Sequence, residues 1–415
     1  MFEEPVTRMG LNWLTVYRNF IPIVGVLLFL DRIMTDKKLF NSYVFSPYFV
    51  LGAVFSVCGI TGWIFNRYQS FMVTAETMYE HLRFWICLFL FVQIFEIIDI
   101  EKITKNLFTH ISIMSCIVIT ASALDFFFKI WPRQMYRYGT SSLQIFYGHP
   151  SNLGAHAIFL IGMLLVMLPY LIRETDNRKK VLLISGIETV LLLAVVFLTL
   201  RVRLFGFLVG FAILFIYIIV LKKKITIPVV LASVAGVLAV GYKRLYGFYF
   251  SSVAYQMARG RFAVNSLDIA KKNFPFGSGF GTFGSRMAQL HYSPLYYKYN
   301  MMTMLGLSPN LPAYACDTFY PVILAESGWL GLVAYNGLVA LVCNQLLKKH
   351  LKAENISETR FATFTAILMI IFELLEGFAT LSFSETYSVL ITIPLAISLV
   401  ILKRHQFENQ QAKKE

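Results

Sequence analysis

An all-α polytopic integral membrane protein is the fold class this sequence predicts, on three observations. Of the 415 residues 57% are hydrophobic and only 14% charged, too little polar surface to cover a soluble core. The apolar residues gather into runs of about 20, the length that crosses ~30 Å of hydrocarbon as a helix. Lys and Arg collect on alternate sides of those runs, as they do where loops face a cytoplasm.

Taken in order, the runs lie near 12–30, 44–65, 82–98, 107–128, 153–172, 180–200, 203–221, 225–242, 318–347, 360–383 and 385–402. That makes about 11 transmembrane helices, with 10–12 as the range. Glu3 and Glu4 stand where a signal peptide would be basic, and no small-residue cleavage site precedes Leu30, so the first run is expected to be retained. With Lys222, Lys223 and Lys224 in the cytoplasm, alternation puts loops 31–42, 99–106, 173–180 and 348–360 and the C-terminal tail on the same side. These segments hold 20 Lys and Arg, against 9 on the opposite side outside the long segment 243–317. The bias predicts a cytoplasmic C-terminus and an external 243–317 loop containing short amphipathic helices; an odd span count then puts the N-terminus outside. No internal repeat or low-complexity linker divides residues 1–415, so one membrane domain is expected.

The net charge of +14 follows from this topology and from anionic headgroups, and needs no nucleic acid. Five scattered cysteines, Cys58, Cys87, Cys116, Cys316 and Cys343, give neither a disulfide framework nor a metal spacing and read as packing residues.

Ionisable groups at membrane depth persist where they face a cavity or a partner, so they locate candidate chemistry. Arg201 and Arg203 sit in an otherwise apolar hairpin between two runs. A guanidinium offers a fork of donors matched to phosphate oxygens, although both side chains reach one site only if the helix breaks there. The alternative is snorkelling to headgroups. The long loop carries Arg259, Arg261, Arg286, His291 and many tyrosines, Tyr292 among them, a surface suited to an anionic headgroup bearing sugars. Gly279-Phe-Gly281-Thr-Phe-Gly284 matches a dinucleotide fingerprint, but no strand precedes it; its glycines are expected to let backbone approach a helix or ligand closely. Asp317, where loop meets helix, is either an N-cap or a functional carboxylate. Glu326, deeper in an apolar run, is expected to pair with an arginine, and Glu373, Glu376 and Glu385 lie near the same end of the bundle.

Together these motifs resemble the O-antigen ligase and polymerase superfamily, closest to the Wzy-type polymerases of Gram-positive capsular polysaccharide and exopolysaccharide. The likeness is carried by Thr199-Leu-Arg201-Val-Arg203, Arg259-Gly-Arg261, the run from Phe274 to Gly284, the stretch from Asp317 to Gly331, and Gly148 to His156. It covers roughly residues 145–345, and Asp317-Thr318 stands where ligases of the superfamily carry His-Asn. The resemblance implies a glycosyltransferase in the bacterial plasma membrane, active on its outer face. Such an enzyme moves a glycan from an undecaprenyl-pyrophosphate carrier to the terminal sugar hydroxyl of another lipid-linked repeat unit. A flippase and a chain-length regulator are the implied protein partners. The expected catalytic residues are Asp317, Arg201, Arg203, Arg261 and, as an alternative base, His291. Arg259, Glu326, Arg286, Gly279, Gly281 and Tyr292 would bind substrate. No cofactor is expected, and the external segments hold no Asp-x-Asp pair for a metal. A glycan ligase and, from a different class, a polysaccharide transporter are the rival readings.

Overall fold

The computed structural model describes residues 46–131, 136–352 and 356–411, with Leu27 and Leu30 in addition. The run at 12–30 therefore lies outside the described residues, as does the N-terminal side assignment.

Helices dominate the described chain, whose strand structure is one hairpin of two-residue strands and an isolated bridge. Its first helices are α1 (Pro47–Asn66), α2 (Phe71–Ile97) and α3 (Ile100–Phe128). Side chains start all three: Ser46 accepts from Phe49 N, Ser70 from Val73 N and Asp99 from Glu101 N. A hairpin of β1 (Tyr136–Arg137) and β2 (Thr140–Ser141) turns on Tyr138 and Gly139, both with positive φ, as a two-residue turn requires. Then come α4 (Pro150–Glu174), α5 (Arg178–Leu198), and α6 (Val202–Leu214), which winds on as a π-turn to Val220, followed by α7 (Ile227–Tyr249). The segment after α7 holds three short helices, α8 (Ala258–Lys272), α9 (Arg286–Leu290) and α10 (Pro294–Lys298). The chain ends with α11 (Tyr320–Lys352), α12 (Ser357–Glu376) and α13 (Ser388–Gln411).

Among the described residues eight helices are long and apolar enough to cross a membrane: α1, α3, α4, α5, α6 with its π-turn, α7, α11 and α13. α2 and α12 are as long, but carry Glu80, His81 and Arg83, and Glu358, Arg360, Glu373 and Glu376. α4 is the central post, almost wholly buried among α3, α5, α12 and α13. Its glycines make the close packing possible. Leu204 of α6 seats on Gly154, and Met369 of α12 with Pro394 of α13 seats on Gly162.

Several boundaries differ from the sequence expectation: α2 starts at Phe71 rather than near 82 and α3 at Ile100 rather than near 107, and two more lie at the cavity. α7 continues to Tyr249, because Tyr242, Tyr246 and Phe250 form an aromatic ladder at helical spacing, with ring centroids 6.0 and 6.5 Å apart. α12 stops at Glu376, where Gly377 accepts a bond from Phe319 N across to the start of α11.

The 243–317 segment is not a separate lid. Phe262, Phe283, Tyr296 and Ala325 join the core that anchors it, and residues 275–284 thread between α1 and α11. α11 is broken at Gly328 (φ 69°, ψ −171°) to receive this thread. Ser278 N and Gly279 N donate to Ala325 O and Glu326 O at 2.8 and 2.9 Å.

Candidate functional site

The sequence Thr199-Leu200-Arg201 ends one helix and starts the next. Leu200 takes positive φ (54°), Arg201 is extended, and α6 begins at Val202 with the Arg201 carbonyl accepting from Leu204 N and Phe205 N. The break that a shared site would require is present, at Leu200 and Arg201. Arg201 and Arg203 thereby face one cavity, of about 750 Å³.

Arg137, Arg201, Arg203, Arg244, Arg259 and Arg261 line this cavity, and Asp317 is the one carboxylate lining it among the described residues. Apolar side chains line it as well, Val237, Leu238, Leu245 and Phe248 of α7 and Leu375 and Phe378 around the end of α12. Two helix starts meet here, α6 at Arg201 and α8 at Met257, and neither is capped by a side chain. The first amides of a helix have no partner within it and carry partial positive charge, so two uncapped starts add to the arginines' field.

Each arginine is held differently. Arg201 Nη2 lies 2.7 Å from His149 Nε2, at the start of α4. A guanidinium only donates, so Nε2 accepts from Arg201, while Nδ1 lies 3.3 Å from Ser151 N as the cap of α4. Burial, then the Arg201 charge, lowers His149 to about 3, which keeps the imidazole neutral. Burial and the neighbouring Arg203 and Arg137 push Arg201 down to about 9, still a cation at neutral pH. Arg203 is clamped by Ser151 Oγ at 2.5 Å and by buried Glu376, whose Oε1 lies 2.5 Å from Nε. Arg259 lies over Phe248 (4.7 Å) and makes one contact to Asp317, Nη2 to Oδ2 at 3.2 Å. Arg261 lies over Tyr255 at 3.9 Å. The Nε groups of Arg201, Arg259 and Arg261 are buried without a hydrogen-bond partner among the described residues. Donors left without a partner, on residues that line a basic cavity, suit an anion with several oxygens.

Asp317 does not cap α11, which starts at Tyr320, three residues on. Burial raises its carboxyl above the ordinary range, opposed by Arg259, Arg203 and Arg201.

The other expected site residues lie elsewhere. Glu326 is fully buried and meets no arginine. Its Oε2 is 3.1 Å from His81 Nε2, and its Oε1 accepts from Ser285 Oγ (2.6 Å) and Phe283 N (2.9 Å). This corrects the expected arginine pairing: a carboxylate with three donors in hand has no need of one. Ser384 Oγ lies 2.8 Å from His81 Nδ1, so serine, histidine and glutamate stand in line, but Ser384, His81 and Glu326 are all buried and the group acts as a clamp. Gly279 and Gly281 approach helices rather than the cavity, since a Cβ on either would strike Trp63 N of α1 or Val73 Cγ1 of α2 at 2.7 Å. His291 and Arg286 are exposed and outside the cavity lining. Tyr292, also outside it, donates to Leu307 O at 2.6 Å.

The cavity also enlists residues to which the sequence assigned no role. Arg137 and Arg244 line it without having been singled out, and His149, which holds Arg201, entered only within the stretch from Gly148 to His156. Spacing gave no signal for them, because hairpin, helix start and break come together only in three dimensions.

Fold and site together define a helical protein with helices long and apolar enough to cross a membrane and an arginine-lined cavity at two helix starts. No protein-family model and no curated protein matches the chain.

Proposed function

We propose that this chain is a polysaccharide polymerase of the Wzy type, elongating lipid-linked repeat units on the outer face of a bacterial plasma membrane. The observation that carries the reading is the convergence of six arginines, two uncapped helix starts and one carboxylate on a cavity that apolar side chains also line. In this reading α2 and α12 also cross the bilayer, making eleven spans with the run at 12–30. The long segment lies outside and the C-terminus in the cytoplasm.

The chemistry follows from the charges. The acceptor sugar's hydroxyl oxygen attacks the anomeric carbon of the donor glycan, and the bond from that carbon to the pyrophosphate oxygen breaks with its electron pair. Negative charge therefore grows on the leaving pyrophosphate, where preorganised guanidinium donors lower the barrier. Asp317 takes the proton of the attacking hydroxyl. Arg201, Arg203, Arg259 and Arg261 hold the pyrophosphate, while Glu376, Ser151 and His149 hold two of those arginines in place. A bound metal has no assigned task in this scheme.

Purified protein in liposomes with a synthetic undecaprenyl-pyrophosphate repeat unit, without added metal, is expected to give a ladder of lengthening glycans. A single addition to a different acceptor would make the protein a ligase. Release of glycan across the vesicle without new bonds would make it a transporter.

A further inference from the structure

Five of the lining arginines have no lining carboxylate against them; Arg259 alone has one, through a single contact to Asp317. The pair is weak by its own geometry. Its one nitrogen–oxygen distance is 3.2 Å, the side chains are 21% and 31% exposed, and Arg259 Nε is left without a hydrogen bond. Part-exposed ion pairs with one contact are easily exchanged, whereas a phosphate group accepts two parallel bonds from a guanidinium. Asp317 lies in the unwound stretch before α11, so it can move without unwinding a helix. Arg259 is the second residue of α8, beside that helix's uncapped amides.

We infer that Arg259 is an anion-binding group that Asp317 holds in reserve, and that a phosphate-bearing ligand entering the cavity takes Arg259 and frees the Asp317 carboxylate. The inference rests on the cavity being the pyrophosphate site proposed above. It adds that the base is paired with Arg259 until the donor arrives. A bound pyrophosphate also offsets the arginine charges around Asp317 and raises its proton affinity, strengthening the base when it is needed.

The test compares affinities of the purified full-length protein for inorganic pyrophosphate and for farnesyl pyrophosphate by calorimetry. Wild type, Asp317→Asn, Arg259→Gln and the double variant are measured, each first checked for monodispersity in detergent. If Asp317 competes with the anion, Asp317→Asn tightens binding about three- to tenfold. That gain falls by half or more when Arg259 is already replaced. If Asp317 merely braces Arg259, Asp317→Asn weakens binding or leaves it unchanged, and the inference is overturned. A full gain persisting in the Arg259→Gln background means simple repulsion without exchange and overturns it equally. Asp317→Ala must give the same sign as Asp317→Asn. Tighter binding of the prenylated compound identifies a lipid headgroup as the anion's source, and equal binding identifies free pyrophosphate; competition stands in both cases. Absence of binding by the wild type and every variant overturns this inference and the proposed function together, whereas binding without the Asp317 effect overturns this inference alone.

Discussion

Arg203 illustrates how single residues set the cavity's chemistry. Its Nε faces Glu376 and its Nη2 donates to Ser151, an arrangement a lysine's point charge cannot reproduce. Arg203→Lys is therefore expected to lower polymer synthesis at least ~10-fold in reconstituted vesicles, towards the ~10²–10³-fold typical of losing one transition-state donor. Lysine supporting full activity would mean that the residue serves a headgroup. Asp317 sets the pH dependence. It is faced by Arg259 from α8, by Arg201 and Arg203 at the start of α6, and by Tyr249 of α7. The base works ionised, so activity should fall as pH drops through a limb lying above the ordinary carboxylate range, where burial has moved it. Arg259→Gln should shift that limb upward and Asp317→Asn should remove it; an unmoved limb in both variants would exclude Asp317 as the base. His149 has a stability signature. The unfolded chain binds a proton near 6.5, whereas the folded protein keeps this imidazole neutral down to about 3. Stability is then complete above 6.5 and drains away as pH falls towards about 3. His149→Gln, which keeps an acceptor for Arg201, should flatten the fall in melting temperature across that window; an identical slope in the variant would count against this assignment. Much of this site was legible, since arginines in an apolar hairpin and a carboxylate at a loop–helix junction stand out in the sequence. The His81 partner of Glu326 was not, because it is 245 residues away and lies on a helix with an ionisable group every few positions.

Helix breaks carry the information at the next scale up. α11 is interrupted at Gly328, where a Cβ would come within 2.1 Å of Pro275 O, and Gly277 and Gly62 are as closely hemmed in by backbone. Gly328→Ala is expected to destabilise by at least ~2 kcal/mol, from left-handed strain and overlap together. Gly186→Ala, on α5 with open space around it, should cost nothing or add up to ~1 kcal/mol. Melting curves in detergent compare the two, and equal midpoints would show that the thread is not tightly held. Element positions were readable from hydropathy because a bilayer imposes one length on every span. The glycine run was also correctly read as permitting close approach, to helices here. The uncapped starts of α6 and α8 were not readable, because Arg201 and Met257 announce no cap and the absence of one has no sequence signal.

For the molecule as a whole, the proposed orientation makes a prediction independent of activity. In a chain with its native cysteines replaced, Leu305→Cys, at a position 85% exposed beside the cavity, should react with an impermeant maleimide on intact cells. Lys223→Cys should react only after permeabilisation. The reverse pattern would invert the topology and with it the proposed reaction face. Charge bias is what predicts this orientation, because loop lysines and arginines are counted without knowing how helices pack. Packing order was hidden, since α4, no more apolar to the eye than α5, proves to be the buried centre. The threading of residues 275–284 between α1 and α11 also bears on how the chain is made. A ribosome delivers α1 and α2 first, then the thread, and only some forty residues later the helix whose broken turn receives it. Until then Ser278 N and Gly279 N have no Ala325 and Glu326 carbonyls to bind, and the cavity lacks Asp317, Leu375 and Phe378, so it cannot assemble segment by segment as the chain is made. The last third of the chain closes it, and an interrupted synthesis leaves behind a basic loop with no pocket.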